Sequence, residues 1–192
     1  VCYMPFNSFM KKMKRFRLKF RGRLKRMYKN KNERASNRPF TYERVIVFDY
    51  DNTLVESVGT FEKDYNLEKF IKDNSFWNNL FTKKLPLAYS INNFFYDGLT
   101  LVVIHTARAR RWWFPIVLFL KGIKYHELIQ RPPANSQNSA YLKKWQLVKF
   151  LQEKKIGTEV FKIFVDDFKP NRDQIETIGF SVYNADYYNL KE

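Results

Sequence analysis

The sequence predicts an α/β fold, a mostly parallel sheet with helices on both faces. Two observations carry that prediction. Three short and almost wholly apolar segments, RVIVF at 44–48, LTLVVIH at 99–105 and VFKIFV at 160–165, are separated by stretches with helical spacing. Each segment also runs straight into polar residues: Asp49 and Asp51, then Thr106, then Asp166 and Asp167. Short apolar runs bounded by such residues read as strands buried on both faces, and strands alternating with helices favour a parallel sheet. Ligand sites in these sheets lie beyond the carboxyl ends of the strands, where the polar residues fall.

The 192 residues suit one domain plus an extension. Residues 1–40 hold 14 Lys and Arg against one acid, a net of +13; residues 41–192 hold 21 bases and 18 acids. The sequence therefore divides into a basic N-terminal arm, 1–40, and a nearly balanced globular body, 41–192. In the arm, Met10, Met13, Phe16, Phe20, Leu24 and Met27 recur at steps of three and four, the pattern of an amphipathic helix. Lys11, Lys12, Lys14, Arg15, Arg17, Lys19, Arg21, Arg23, Lys25 and Arg26 fill its other positions. Such a face suits a polyanion, RNA more than DNA. An organelle-targeting segment or a helix docked on a partner are the competing readings. Asn30 to Pro39 reads as a linker.

In the body, Arg44–Phe48 is the first strand. An insertion of about 55–98 is mostly helical and aromatic, with Phe76-Trp77 and Leu80-Phe81 four apart. The turn at Asp97-Gly98 introduces the second strand. Phe114–Lys121 is a short helix that tolerates Pro115 in its first turn, and Gly122 ends it. Tyr125–Ile129 is the third strand and residues 131–138 a loop. Tyr141–Lys155 is an amphipathic helix with Leu147, Val148 and Leu151 on one face. Val160–Val165 and Ser181–Asn184 complete the sheet.

Cys2 is the only cysteine, so the chain builds neither a disulfide nor a thiolate zinc site within itself. That fits an intracellular setting, with cytoplasmic, mitochondrial and virion-associated locations left open. The longest apolar run, Trp112–Leu120, is too short to span a bilayer, and nothing reads as a secretory signal.

Carboxylates converging at one sheet edge repel one another. They need a proton, a cationic side chain or a bound divalent metal. All-oxygen ligands favour Mg²⁺, which suits phosphorylated substrates. Asp49 is then the candidate nucleophile and Asp51 the candidate acid and base. Thr106 offers a hydroxyl to the phosphoryl group, Lys144 or Lys143 a compensating charge, and Asp166 and Asp167 hold the metal. Lys144 is preferred, because Leu147, Val148 and Leu151 lie three, four and seven residues beyond it. Each piece has a plainer reading: strand-end turns for the aspartates, a helix cap for Thr106, solvated helix positions for the lysines. Arg108, Arg110 and Arg111 before Trp112 and Trp113 form either a phosphate and base clamp or a solvated turn before core tryptophans. His105 and His126 read as structural.

Together these residues resemble the motifs of the haloacid dehalogenase superfamily of phosphatases. D49-Y-D51-N-T53 matches the first motif, I-H-T106-A-R108 the second, Lys143 or Lys144 in YLKKWQLV the third, and F-V-D166-D167 the fourth. The resemblance covers about 44–185. It implies a Rossmann-like sheet, Mg²⁺ held by Asp49, Asp166, Asp167 and the Asp51 carbonyl, and substrate contacts from Thr106, Arg108 and Asn52. Within the superfamily the chain looks most similar to polynucleotide 3′-phosphatase domains and the Swiss Army Knife RNA-repair-like group. It departs from them at His105, where Leu is more usual, and at Phe168, where Arg is common. The expected activity is Mg²⁺-dependent phosphohydrolysis through an aspartyl-phosphate on a nucleic-acid end or nucleotide. The alternative is an RNA-binding structural subunit of a large ribonucleoprotein, such as a mitochondrial ribosome, or of a virion.

Overall fold

The computed structural model describes residues 42–57, 75–133 and 137–190. The basic arm, with the ten cationic residues named above, lies outside this range, as do residues 58–74 of the insertion. Five strands form one parallel sheet: β1 (Arg44–Phe48), β2 (Thr100–Ala109), β3 (Glu127–Arg131), β4 (Phe161–Asp166) and β5 (Ser181–Asn184), in the order β3-β2-β1-β4-β5. The helices are α1 (Phe76–Phe81), α2 (Leu87–Tyr96), α3 (Phe114–Leu120), α4 (Ser139–Glu153), α5 (Lys169–Glu176) and α6 (Asp186–Asn189). This is the predicted α/β architecture.

β1 is central, and its apolar run is buried because both its faces are covered. Ile46 and Phe48 join Val102 and Ile104 of β2 in one cluster with Leu87 and Ile91 of α2 and Phe114 and Leu118 of α3. Side chains alternate along a strand, which leaves Val45 and Val47 to the opposite face. There Leu142, Leu147 and Phe150 of α4 and Ile175 of α5 are buried.

Register carries this packing to the site. Phe48 pairs with Ile104 on one side and Val165 on the other. The residues that follow, Asp49, His105 and Asp166, therefore emerge side by side at one sheet edge. The Asp49 N–H donates to the Val165 carbonyl at 2.9 Å, which prolongs the ladder by one rung.

Several boundaries differ from expectation for local reasons. β2 runs on to Ala109, and a bulge between Thr106 and Ala109 lets it stay paired with β3. β3 begins two residues late. His126 donates its N–H to the Val102 carbonyl, and its ring Nδ1 accepts from the Val102 N–H, so a side chain takes the place of a strand carbonyl. α4 starts at Ser139 because the Asn138 side chain caps it through the Ala140 N–H. In the insertion, Thr82 to Pro86 separates α1 from α2. It bonds to the segment that follows β1: the Leu85 N–H donates to the Leu54 carbonyl and the Glu56 N–H to the Lys83 carbonyl. Among the described residues no helix is long and apolar enough to cross a membrane.

Candidate active site

Asp49, Asp166 and Asp167 offer carboxylate oxygens within 4.8 Å of one another. β1 and β4 are neighbours, so their tips set two of the three acids one strand spacing apart. Asp49 and Asp166 are buried. A buried cation answers them: Lys143 Nζ donates to Asp49 Oδ1 and to Asp166 Oδ2, each at 2.6 Å.

The preference for Lys144 is thereby reversed. The buried stripe of α4 contains Ala140, Lys143, Leu147 and Phe150, at steps of three and four. Lys143 lies on it, whereas Lys144 lies about 100° around the helix and is half-buried. Val148 and Leu151, which pointed to Lys144, are only partly buried and flank the stripe.

Asp166 is held from several sides. Its Oδ1 accepts the Phe168 N–H at 2.8 Å, and Asn171 Nδ2 donates to Oδ2 at 2.9 Å. Arg172 Nη1 reaches the Asp166 carbonyl at 2.6 Å and also binds the Asp167 carbonyl, which fixes the turn into α5. Asn171 was not foreseen as a site residue. Its signal was its place in the first turn of a helix that follows the acidic pair.

The electrostatics follow from crowding. Burial pushes the Asp49 carboxyl well above its usual range, and the Asp166 and Asp51 charges add to this against the pull of Lys143. Burial and Asp166 push Asp167 up to about 6, partly offset by a backbone hydrogen bond, by one from the Asn52 side chain and by Lys143. Lys143 is held firmly protonated: its two carboxylate partners outweigh the cost of burial. Three acids against one lysine leave two negative charges uncompensated. An oxygen-only donor set with that deficit fits a divalent cation, and the residues to hold it are Asp49, Asp166 and Asp167.

The Asp51 side chain, the expected acid and base, is paired with Arg108. Arg108 Nε donates to both its oxygens at 2.9 Å, and Ser57 Oγ donates to Oδ1. Burial alone would raise its pKa, but the Arg108 charge and these hydrogen bonds hold it below the usual carboxylate range. Only the backbone carbonyl of Asp51 then remains for a metal. Arg108 was expected on substrate; here its fork lies on Asp51, and Nη1 donates to Asn79 Oδ1 at 2.8 Å. Ser57 and Asn79 had no sequence signal, since both come from the insertion.

Asn52 has a left-handed backbone, φ 52°, which turns the chain sharply after Asp51, and its Oδ1 accepts the Ser57 N–H at 2.9 Å. Thr106 is buried, and its Oγ1 accepts the Arg108 N–H at 3.1 Å, which leaves its hydroxyl proton to donate. The arginine and tryptophan stretch divides. Trp113 packs against the core and edge-on to Phe76, while Arg110, Arg111 and Trp112 are exposed. His105 is wholly buried and its Nε2 pairs with Gln146 at 3.0 Å, a structural arrangement.

No protein-family model and no curated protein sequence matches the chain. Solved structures do. One is a chain of the Pnkp1/Rnl/Hen1 complex, with 15% identity and a TM-score of 0.53 over 75% of this chain and 46% of that one. A predicted phosphoglycolate phosphatase from Haemophilus somnus has 12% identity and a TM-score of 0.52 over 76% and 85%. A HAD-superfamily hydrolase of subfamily IA from Geobacter sulfurreducens has 13% identity and a TM-score of 0.50 over 73% and 86%. The chain spans less than half the length of the Pnkp1/Rnl/Hen1 chain it matches. The sheet order and these likenesses show that the chain has the haloacid dehalogenase fold.

Proposed function

We propose that the protein is a phosphohydrolase that works through an aspartyl-phosphate on Asp49. One observation carries this reading: Asp49, at the tip of the central strand, shares a buried lysine with Asp166 and stands within 4.8 Å of Asp166 and Asp167. Such a cluster destabilises the fold unless a cation completes it.

In the transfer step an Asp49 oxygen attacks phosphorus, and the bond from phosphorus to the leaving oxygen breaks. Lys143 keeps Asp49 aimed and offsets charge on the phosphoryl oxygens. Thr106 donates its hydroxyl to one of them. Asp51 donates a proton to the leaving oxygen, and the Arg108 fork on its two oxygens holds the carboxyl in place. In the second step water attacks phosphorus and gives its proton to Asp51. The bond to Asp49 breaks and inorganic phosphate leaves. A Mg²⁺ held by Asp49, Asp166 and Asp167 supplies Lewis-acid neutralisation of the phosphoryl oxygens when bound.

The substrate class is a phosphorylated nucleic-acid end or nucleotide, RNA more than DNA. The basic arm 1–40 supports this, as does the likeness to a chain of an RNA repair complex. The body 41–192 would carry the chemistry and the arm the affinity. The test is Asp49→Asn with p-nitrophenyl phosphate and Mg²⁺. Turnover falls to background on this reading; undiminished turnover rejects it.

A further inference from the structure

Asn79 lies on α1, in the insertion rather than the sheet, and is 1% exposed. Asparagine is a poor helix former, and an apolar residue would fill a buried helical position better. A polar side chain buried so deeply needs partners. Both ends of this one have them: Nδ2 donates to the Ser75 carbonyl at 2.7 Å, and Oδ1 accepts from Arg108 Nη1 at 2.8 Å. The first bond ties Asn79 to its own helix. The second reaches across to the sheet.

Arg108 in turn presents Nε to both Asp51 oxygens at 2.9 Å and Nη2 to Ser57 Oγ at 3.1 Å. A guanidinium is planar, so fixing one edge and one corner fixes the whole fork. The carboxyl it grips is then fixed too. A side chain with this much rotamer freedom does not hold one orientation unaided.

We infer that Asn79 is a positioning residue: it locks the Arg108 fork, and through it the orientation of the Asp51 carboxyl toward the leaving oxygen. Helix α1 thus takes part in the chemistry of the sheet edge. The catalytic half of this inference rests on the phosphohydrolase reading; the structural half does not.

The experiment compares two esters. p-Nitrophenolate leaves without a proton, whereas the alkoxide of glycerol 2-phosphate needs one. kcat/KM reports the step in which the leaving group departs. Asn79→Ala is expected to lower kcat/KM for glycerol 2-phosphate about tenfold, a fraction of a full acid contribution, while p-nitrophenyl phosphate changes less than about twofold. In parallel, the Arg108 Nε–H resonance is slowly exchanging in the wild type and is lost to solvent exchange in Asn79→Ala. Equal losses on both esters would overturn the inference. A wild type that turns over neither ester sinks the phosphohydrolase reading and the catalytic half together. The Arg108 resonance still decides the structural half: its loss in Asn79→Ala upholds the lock, and its persistence refutes it.

Discussion

Lys143 Nζ stands 2.6 Å from Asp49 Oδ1 and 2.6 Å from Asp166 Oδ2, with all three side chains buried. One ammonium thus bridges two strand tips from a helix on the sheet face. Lys143→Ala leaves two adjacent buried carboxylates without their cation. It is expected to cost about 3–5 kcal/mol in metal-free denaturant unfolding. It should also lower turnover at least 100-fold, about the scale of losing one preorganised electrostatic contact to the reacting group. Lys144→Ala, one position around the helix, should change stability by less than about 0.5 kcal/mol. Equal effects of the two substitutions would contradict the assignment.

The charge deficit of the acidic cluster predicts metal-linked stability. Mg²⁺ is expected to raise the melting temperature of the wild type, and chelator to return it to its starting value. The effect depends on pH with a definite sign. Asp167, raised to about 6 by burial and by Asp166, holds its proton below that pH, so metal must displace it there. The Mg²⁺ increment should therefore be larger at pH 7.5 than at pH 5.0. Asp167→Asn should shrink it at pH 7.5. Scanning fluorimetry at the two pH values measures this.

His105 predicts a second pH dependence, independent of metal. Burial, and then the Lys143 charge, depress its pKa to about 3, against a smaller opposing contribution from Gln146. The folded protein keeps this ring neutral while the unfolded chain binds a proton below about 6.5. Stability is therefore full above pH 6.5 and falls as pH drops toward 3. The expected loss is about 2 kcal/mol at pH 5 from this residue alone. Unfolding of wild type and His105→Gln at pH 7.5 and 5.0 checks the sign: the variant should lose less on acidification.

Much of the fold was legible because buried parallel strands are written as unbroken apolar runs. β1 and β5 have the predicted bounds, and the polar residues that end β1 and β4 meet at one edge. α5 was not foreseen, since KPNRDQIE is almost wholly polar and buries only Asn171 and Ile175, four apart. The choice between adjacent lysines turned on Ala140 and Phe150, two ends of a stripe that reading from Leu147, Val148 and Leu151 left out. Ser57 and Asn79 could not be found at all. They lie 6 and 28 residues beyond Asp51 in a segment without strand order, and only folding brings them to Asp51 and Arg108. The sequence marks the groups that do chemistry through their strand ends. It hides the groups that hold them.

Rapid acid quenching during turnover, followed by mass mapping of the peptide that contains VIVFDYDNTL, asks most directly where the phosphoryl group goes. One phosphoryl group on Asp49, absent from Asp49→Asn, is the expected result. Steady hydrolysis with Asp49 unlabelled, or with the label on another residue, would contradict it.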